Sequence, residues 1–139
     1  MNQYLVEKYG PRLRSHSVEV QVDSATNTTY RLPDDSILRD KYVVGVFIVR
    51  NPNDNAKSAI GRNIISDEIL DSSYLTIFDG NVRKIEFLPL STFAIGENDT
   101  QVKPFDIECF TPSKSEINIS TGATITAGES FLLNFLYLA

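Results

Sequence analysis

Phe131-Leu132-Leu133-Asn134-Phe135-Leu136-Tyr137-Leu138 closes the chain, and its reading decides the fold. In an extended strand successive side chains point to opposite faces. Phe131, Leu133, Phe135 and Tyr137 then share one face, and Leu132, Leu136 and Leu138 the other. A strand apolar on both faces must be covered on both. A last strand of this kind suits a Greek-key or jelly-roll sandwich, where it inserts into the middle of a sheet. Lys41 to Arg50 repeats the pattern, with Tyr42, Val44, Val46 and Ile48 on one side and Val43, Phe47 and Val49 on the other. A second sheet covers one face only. The other needs a loop such as Asn51 to Ile65, a neighbouring subunit or a partner domain.

Outward from these two segments the period stays at two. Val18, Val20 and Val22 alternate with polar residues, Asn27 to Leu32 is a weaker strand, and Ile117 and Ile119 alternate with Glu116, Asn118 and Ser120. Phe105, Ile107 and Cys109 alternate with Asp106 and Glu108, which makes Cys109 a buried small hydrophobe. Ser73 to Phe78 and Val82 to Leu88 flank Asp79-Gly80-Asn81, a strong hairpin signal. Leu75 and Ile77 share a face of the first of these strands, and Ile85 and Phe87 a face of the second. Ser66 to Asp71 reads as a short helical turn with acids at its start, and Asp34 or Asp35 as a cap for one turn through Arg39. The expected fold is all-β, an antiparallel Greek-key or jelly-roll sandwich of about eight strands. Residues 16–139 form its single domain, preceded by an N-terminal arm over residues 1–15.

The composition excludes more than it assigns. The chain has 139 residues and a formal net charge of −5, so no global field draws it to nucleic acid or anionic lipid. One cysteine and one histidine, Cys109 and His16, cannot build an intramolecular disulfide or, from this chain alone, the usual zinc site. No apolar run reaches the ~20 residues of a membrane-spanning helix, and the first ten residues lack the core of a secretory signal. Sequons begin at Asn27, Asn98 and Asn118, and without a signal they read as chance in a polar chain.

No motif carries catalysis. His16, between two serines, reads as a solvent-facing side chain at a strand edge, and no nucleophile elbow accompanies it. Asp34/Asp35, Asp67/Glu68 and Asp106/Glu108 read as caps and solvated faces rather than as a catalytic pair. Asn51 to Asn55 lacks the acids and glycine of a calcium loop. The reading is therefore of a protein that is no enzyme and holds no metal, cofactor or small-molecule substrate. Lys8, Arg12 and Arg14 give the arm a local positive charge and mark it as an assembly element. Tyr42, Phe47, Phe131, Phe135 and Tyr137 mark the apolar packing or interface strands.

The order of cues resembles the single jelly-roll capsid or vertex (penton) proteins of tailless icosahedral viruses and bacteriophages. It is carried by the short basic arm, by Tyr30-Arg31-Leu32-Pro33-Asp34 before a strong strand, and by Ser73-Tyr74-Leu75-Thr76-Ile77. Leu88-Pro89-Leu90 and the closing Ile125 to Phe135 complete it. The resemblance implies a structural virion protein that self-assembles symmetrically, assembled in the host cytoplasm. Its partners would be further copies or other shell proteins, with weak contact of the arm to genome, internal membrane or a neighbour. One cue departs from the pattern, because tight end-loops of a jelly roll mostly join opposite sheets while Asp79-Gly80 asks for a hairpin within one. The alternative is a ligand-binding sandwich of carbohydrate-binding or adhesin type. Tyr4, Tyr9 and Tyr30 are then the aromatics left outside the strong strands.

Overall fold

Alternating valines build the first strand, since every second side chain of an extended segment can enter a core. In a computed structural model, which describes residues 3–49, 63–95, 104–120, 125 and 127–139, that strand is β1 (Leu13–Gln21). Val18, Val20 and Val22 are buried along it and just beyond. There follow β2 (Thr29–Arg31), β3 (Tyr42–Val49), β4 (Asn63–Ile64), β5 (Ser73–Asp79), β6 (Val82–Pro89), β7 (Ala94–Ile95), β8 (Pro104–Ile107), β9 (Glu116–Ile119) and β10 (Glu129–Leu138). A helix, α1 (Gln3–Tyr9), precedes β1, and a shorter one, α2 (Asp67–Asp71), precedes β5.

The strands form two sheets. In the first, β10 lies between β1 and β3, β7 and β8 share the far edge of β3, and β4 runs beside the start of β10. The second has the order β2-β9-β5-β6. Among the described pairs only the two-residue strands β4 and β7 pair in parallel. Without them the orders are β1-β10-β3-β8 and β2-β9-β5-β6, and the chain changes sheet at every step except β5 to β6. This is the strand order of a jelly roll, with the last strand central as its two apolar faces require. The Asp79-Gly80-Asn81 hairpin is the one same-sheet step, and Gly80 takes the positive φ of +61° that such a turn favours.

Side chains from both sheets close one core. Val20, Val46, Ile48, Phe131, Leu133 and Phe135 meet Leu75, Ile77, Ile117 and Ile119 there. The Phe110 and Phe135 rings stack at 4.9 Å between centroids, tilted by 34°.

The second face of β3 and β10 is covered by the start of the chain itself. Leu5 of α1 is fully buried with Val44, Leu136 and Leu138, and Tyr9, Leu13, Tyr42 and Phe47 pack around them. The residues expected as an arm therefore divide into a docked helix, a turn at Gly10–Arg12 where Gly10-Pro11 stops that helix, and strand from Leu13 onward. The Ala139 amide donates to the Arg12 carbonyl at 2.9 Å, tying the last residue to this corner. The loop Asn51 to Arg62 lies outside the described residues.

Irregular strands correct three expectations. Gly45 lies opposite Leu136 but Val43 opposite Tyr137, so Val44 is an extra residue, a bulge. Val43, Val46 and Ile48 consequently face the inner core while Tyr42, Val44 and Phe47 face α1, dividing a set expected on one side. In β6, Leu88 pairs with Leu75 and Ile85 with Ile77, so a second bulge falls between them. Ile85 packs on the core, whereas Phe87 has a φ of +48° and is 51% exposed. Finally, β8 ends at Ile107, and Phe110 rather than Cys109 enters the core.

Candidate functional site

On β5 the inward side chains are Leu75 and Ile77, which leaves Tyr74, Thr76 and Phe78 on the outer face of the second sheet. Register extends that face sideways. Tyr74 lies opposite Asn118, itself opposite Thr29, and Thr76 lies opposite Glu116, itself opposite Arg31. At the hairpin end Arg31, Thr76, Phe78, Arg83, Phe87, Lys114 and Glu116 line a shallow groove of roughly 210 Å³.

The bulge in β6 shapes this groove. A bulky residue at positive φ is strained and needs support. The Phe87 amide donates to Thr76 Oγ1 at 3.2 Å. The floor is held from below, where Ser115 Oγ accepts from the Phe78 amide at 3.1 Å and donates to the Thr111 carbonyl at 3.0 Å. The Arg83 guanidinium lies 5.7 Å from the Phe78 ring centroid and pairs with Glu86 at 3.0 Å. Lys114 bonds to Asn81 Oδ1, a neutral partner. Arg31 has no carboxylate partner among the described residues.

The same ribbon exposes apolar side chains. Val82 is 64% exposed, Phe87 51%, and Tyr74 and Leu88 just over a third. Val82, Phe87 and Leu88 lie on β6, which pairs with β5 on one side and with no other strand among the described residues, and Tyr74 lies one strand in, on β5. Apolar surface gathered at an edge marks an interaction surface.

Cys109 lies beside the hairpin rather than in the core. Asp79 accepts from the Glu108 amide at 3.1 Å and the Cys109 amide at 3.0 Å, which leaves the half-buried thiol facing Asp40. Its Sγ donates to Asp40 Oδ1 at 3.3 Å, and that bond, with lesser help from desolvation and from the charges of Asp40 and Asp79, raises the thiol pKa. Thiol reagents should therefore label native protein slowly near neutrality and faster as pH rises. Asp40→Asn should move the onset to lower pH, whereas labelling only after denaturation would contradict this placement.

His16 is not solvent-facing. Its Nε2 lies 2.8 Å from Asp35 Oδ2, and Asp35 Oδ1 also accepts from the Ile37 and Leu38 amides, so it is Asp35 that caps the following turn. Burial pushes the Asp35 carboxyl up, but the bonds from His16, Ile37 and Leu38 outweigh it and hold the pKa below the ordinary 3.8. A carboxyl lowered on folding contributes stability above its unfolded pKa and loses it as pH falls through the folded one. Asp35→Asn should flatten the pH dependence of the denaturation midpoint below the ordinary value of 3.8. An unchanged slope there would rule out the linkage.

The remaining candidates are placed as follows. Asp34 pairs with Arg39 at 2.9 Å, Asp67 and Glu68 lie in the first turn of α2, and Asp106 accepts the Tyr42 hydroxyl at 3.0 Å. No group of three metal-ligating side chains occurs among the described residues. Lys8, Arg12 and Arg14 are exposed around the α1–β1 corner. Phe131 and Phe135 are fully buried in the inner core, Tyr137 is half-buried against it, and Tyr42 and Phe47 surround Leu5. Of the tyrosines considered for sugar stacking, Tyr30 is buried with its hydroxyl on the Ser24 carbonyl, and Tyr9 is half-buried near Leu5. The Tyr4 side chain lies outside the described residues. Among the described residues the exposed aromatics are Tyr74 and Phe87 instead.

Sequence reasoning missed the groove. Arg31, Phe87 and Lys114 are far apart along the chain, and only the pairing of β9 with both β2 and β5 joins them. The molecule is thus an all-β jelly-roll sandwich whose described residues include an apolar stretch along β6 and a basic groove beside it. No protein-family model, curated protein or solved structure matches the chain.

Proposed function

We propose that the protein is a structural virion subunit, of the capsid or a vertex, that works by symmetric self-association without catalysis. The observation that supports this reading is the exposed apolar surface of Val82, Phe87 and Leu88 on β6, with Tyr74 beside them on β5, on a jelly roll whose two-faced strands β3 and β10 are already covered. Apolar side chains gathered at an open edge suit contact with a neighbour, and a subunit repeated in a shell gains from many weak contacts together. The basic corner of Lys8, Arg12 and Arg14 would add weak contacts to a neighbour, a packaged genome or an internal membrane. Three cations on one copy bind little, and many copies on one inner surface bind more. Sedimentation and negative-stain imaging over a wide range of concentration and salt test the reading. Closed particles or rings are expected, and a monomer under all conditions would overturn it.

The exposure of Phe87 beside Arg31 and Lys114 favours a second reading, a ligand-binding sandwich of carbohydrate or adhesin type. Binding on a glycan array that Phe87→Ala abolishes would support it, and uniform absence of binding would remove it.

A further inference from the structure

We infer that the groove on the outer face of the second sheet binds an acidic saccharide, a sugar that carries a carboxylate, with Arg31 on the carboxylate and Phe87 against the ring. This rests on the ligand-binding reading and names its ligand. Register puts the groups in one row across all four strands. Arg31 lies opposite Glu116 and Glu116 opposite Thr76, while Glu86 and Phe87 together oppose Thr76, because the bulge sets two residues of β6 against one of β5. At about 4.8 Å per strand the backbones of Arg31 and Phe87 stand roughly 14 Å apart, and both side chains line the groove between them.

The charges in the groove restrict what it can hold. Arg83 is engaged by Glu86 at 3.0 Å and lies over Phe78, and Lys114 bonds to the neutral Asn81 Oδ1. Arg31 makes no ion pair among the described residues, although Glu116 is its cross-strand neighbour. Glu116 accepts instead from Asn118 Nδ2 at 3.3 Å. Set against Glu116 and Glu86, the cations Arg31, Arg83 and Lys114 leave the groove positive by one charge on a chain of formal net charge −5. So small an excess suits a ligand with one carboxylate per ring. A nucleic acid or a polyacidic peptide would bring closely spaced charges against Glu116, whereas a sugar has hydroxyls that donate to it. The aromatic side is marked by strain. Phe87 holds a φ of +48° with its amide on Oγ1 of the buried Thr76, and the residue is 51% exposed. A bulky residue kept in a costly conformation with its ring in solvent points to a use for that ring. The apolar face of a sugar packs on an aromatic ring. Tyr74, two residues before Thr76 and roughly 6.6 Å along the strand, offers a second exposed ring on the same face to the next sugar of a chain.

Binding of the full chain to an array of uronate- and sialate-terminated glycans, each beside its neutral counterpart, tests the inference. The acidic members should be retained over their neutral counterparts, and retention should fall as salt rises. For the tightest member Arg31→Gln should weaken binding at least about tenfold, through loss of a charge-assisted bond, and Phe87→Ala should weaken it as well. Thermal melting checks that each variant folds, and Phe87→Asn, which tolerates positive φ, replaces Phe87→Ala if that does not. Oligoglutamate and single-stranded DNA are titrated alongside. Binding of neutral glycans alone would overturn the acidic ligand and leave the ligand-binding reading standing, whereas an array with no binding at all removes both. Unweakened binding by folded Arg31→Gln would put the acidic glycan somewhere other than this groove. Equal affinity for oligoglutamate or DNA would make the groove a general anion site. Either of these last results overturns the inference.

Discussion

Phe135→Ala is expected to destabilise the domain by about 3–5 kcal/mol, the cost of removing a large buried ring from a core that relaxes only in part. Phe135 is fully buried at the centre of β10, between β1 and β3, and its ring stacks on Phe110. A domain of this size is commonly stable by only about 5–15 kcal/mol, so this single change uses up a large share of that margin. Denaturant unfolding measures it directly. Removing Tyr137 to Ala139 should act in the same direction, because Leu138 pairs with both Leu13 and Tyr42 and lies under α1. A loss below about 1 kcal/mol for Phe135→Ala would show that β10 does not sit at the centre of the sheet.

Leu5→Ala should cost about 2–5 kcal/mol, although it lies only four residues from the start of the chain. Terminal segments are commonly frayed, and a substitution in a frayed helix would leave the melting curve unchanged. Here Leu5 is fully buried on Val44, Leu136 and Leu138, so its loss opens a cavity against the centre of the first sheet. Starting the chain at His16 should be worse. It removes α1 and also Leu13, Arg14 and Ser15, which pair with Leu138, Tyr137 and Leu136. That truncation should expose apolar surface and aggregate, and Leu5→Asp should do so with the strand intact. Unchanged melting of either protein would show that α1 is not docked in solution.

The groove and the covered face depend on contacts that spacing does not record. Alternation along Val18 to Val22, Ile117 to Ile119 and Phe131 to Phe135 assigned the inward faces correctly, because a two-residue period survives wherever the strand is regular. It misplaced Val44 and Phe87, since one inserted residue exchanges the faces beyond it and leaves no mark in composition. Cys109 was misplaced for a related reason. The strand pattern ran on past Ile107, whereas the amides of Glu108 and Cys109 turn toward the Asp79 carboxylate.

From sequence alone came the all-β class, the central last strand, the hairpin at Asp79-Gly80 and the need to cover two strands on both sides. Each of these follows from local periodicity and turn chemistry, which are properties of adjacent residues. What covers the second face, that Asp35 holds His16, and that Arg31, Phe87 and Lys114 share a groove were decided only by the tertiary structure. Those facts join residues distant along the chain, and their energy comes from burial and hydrogen bonds that exist only once both sheets are assembled.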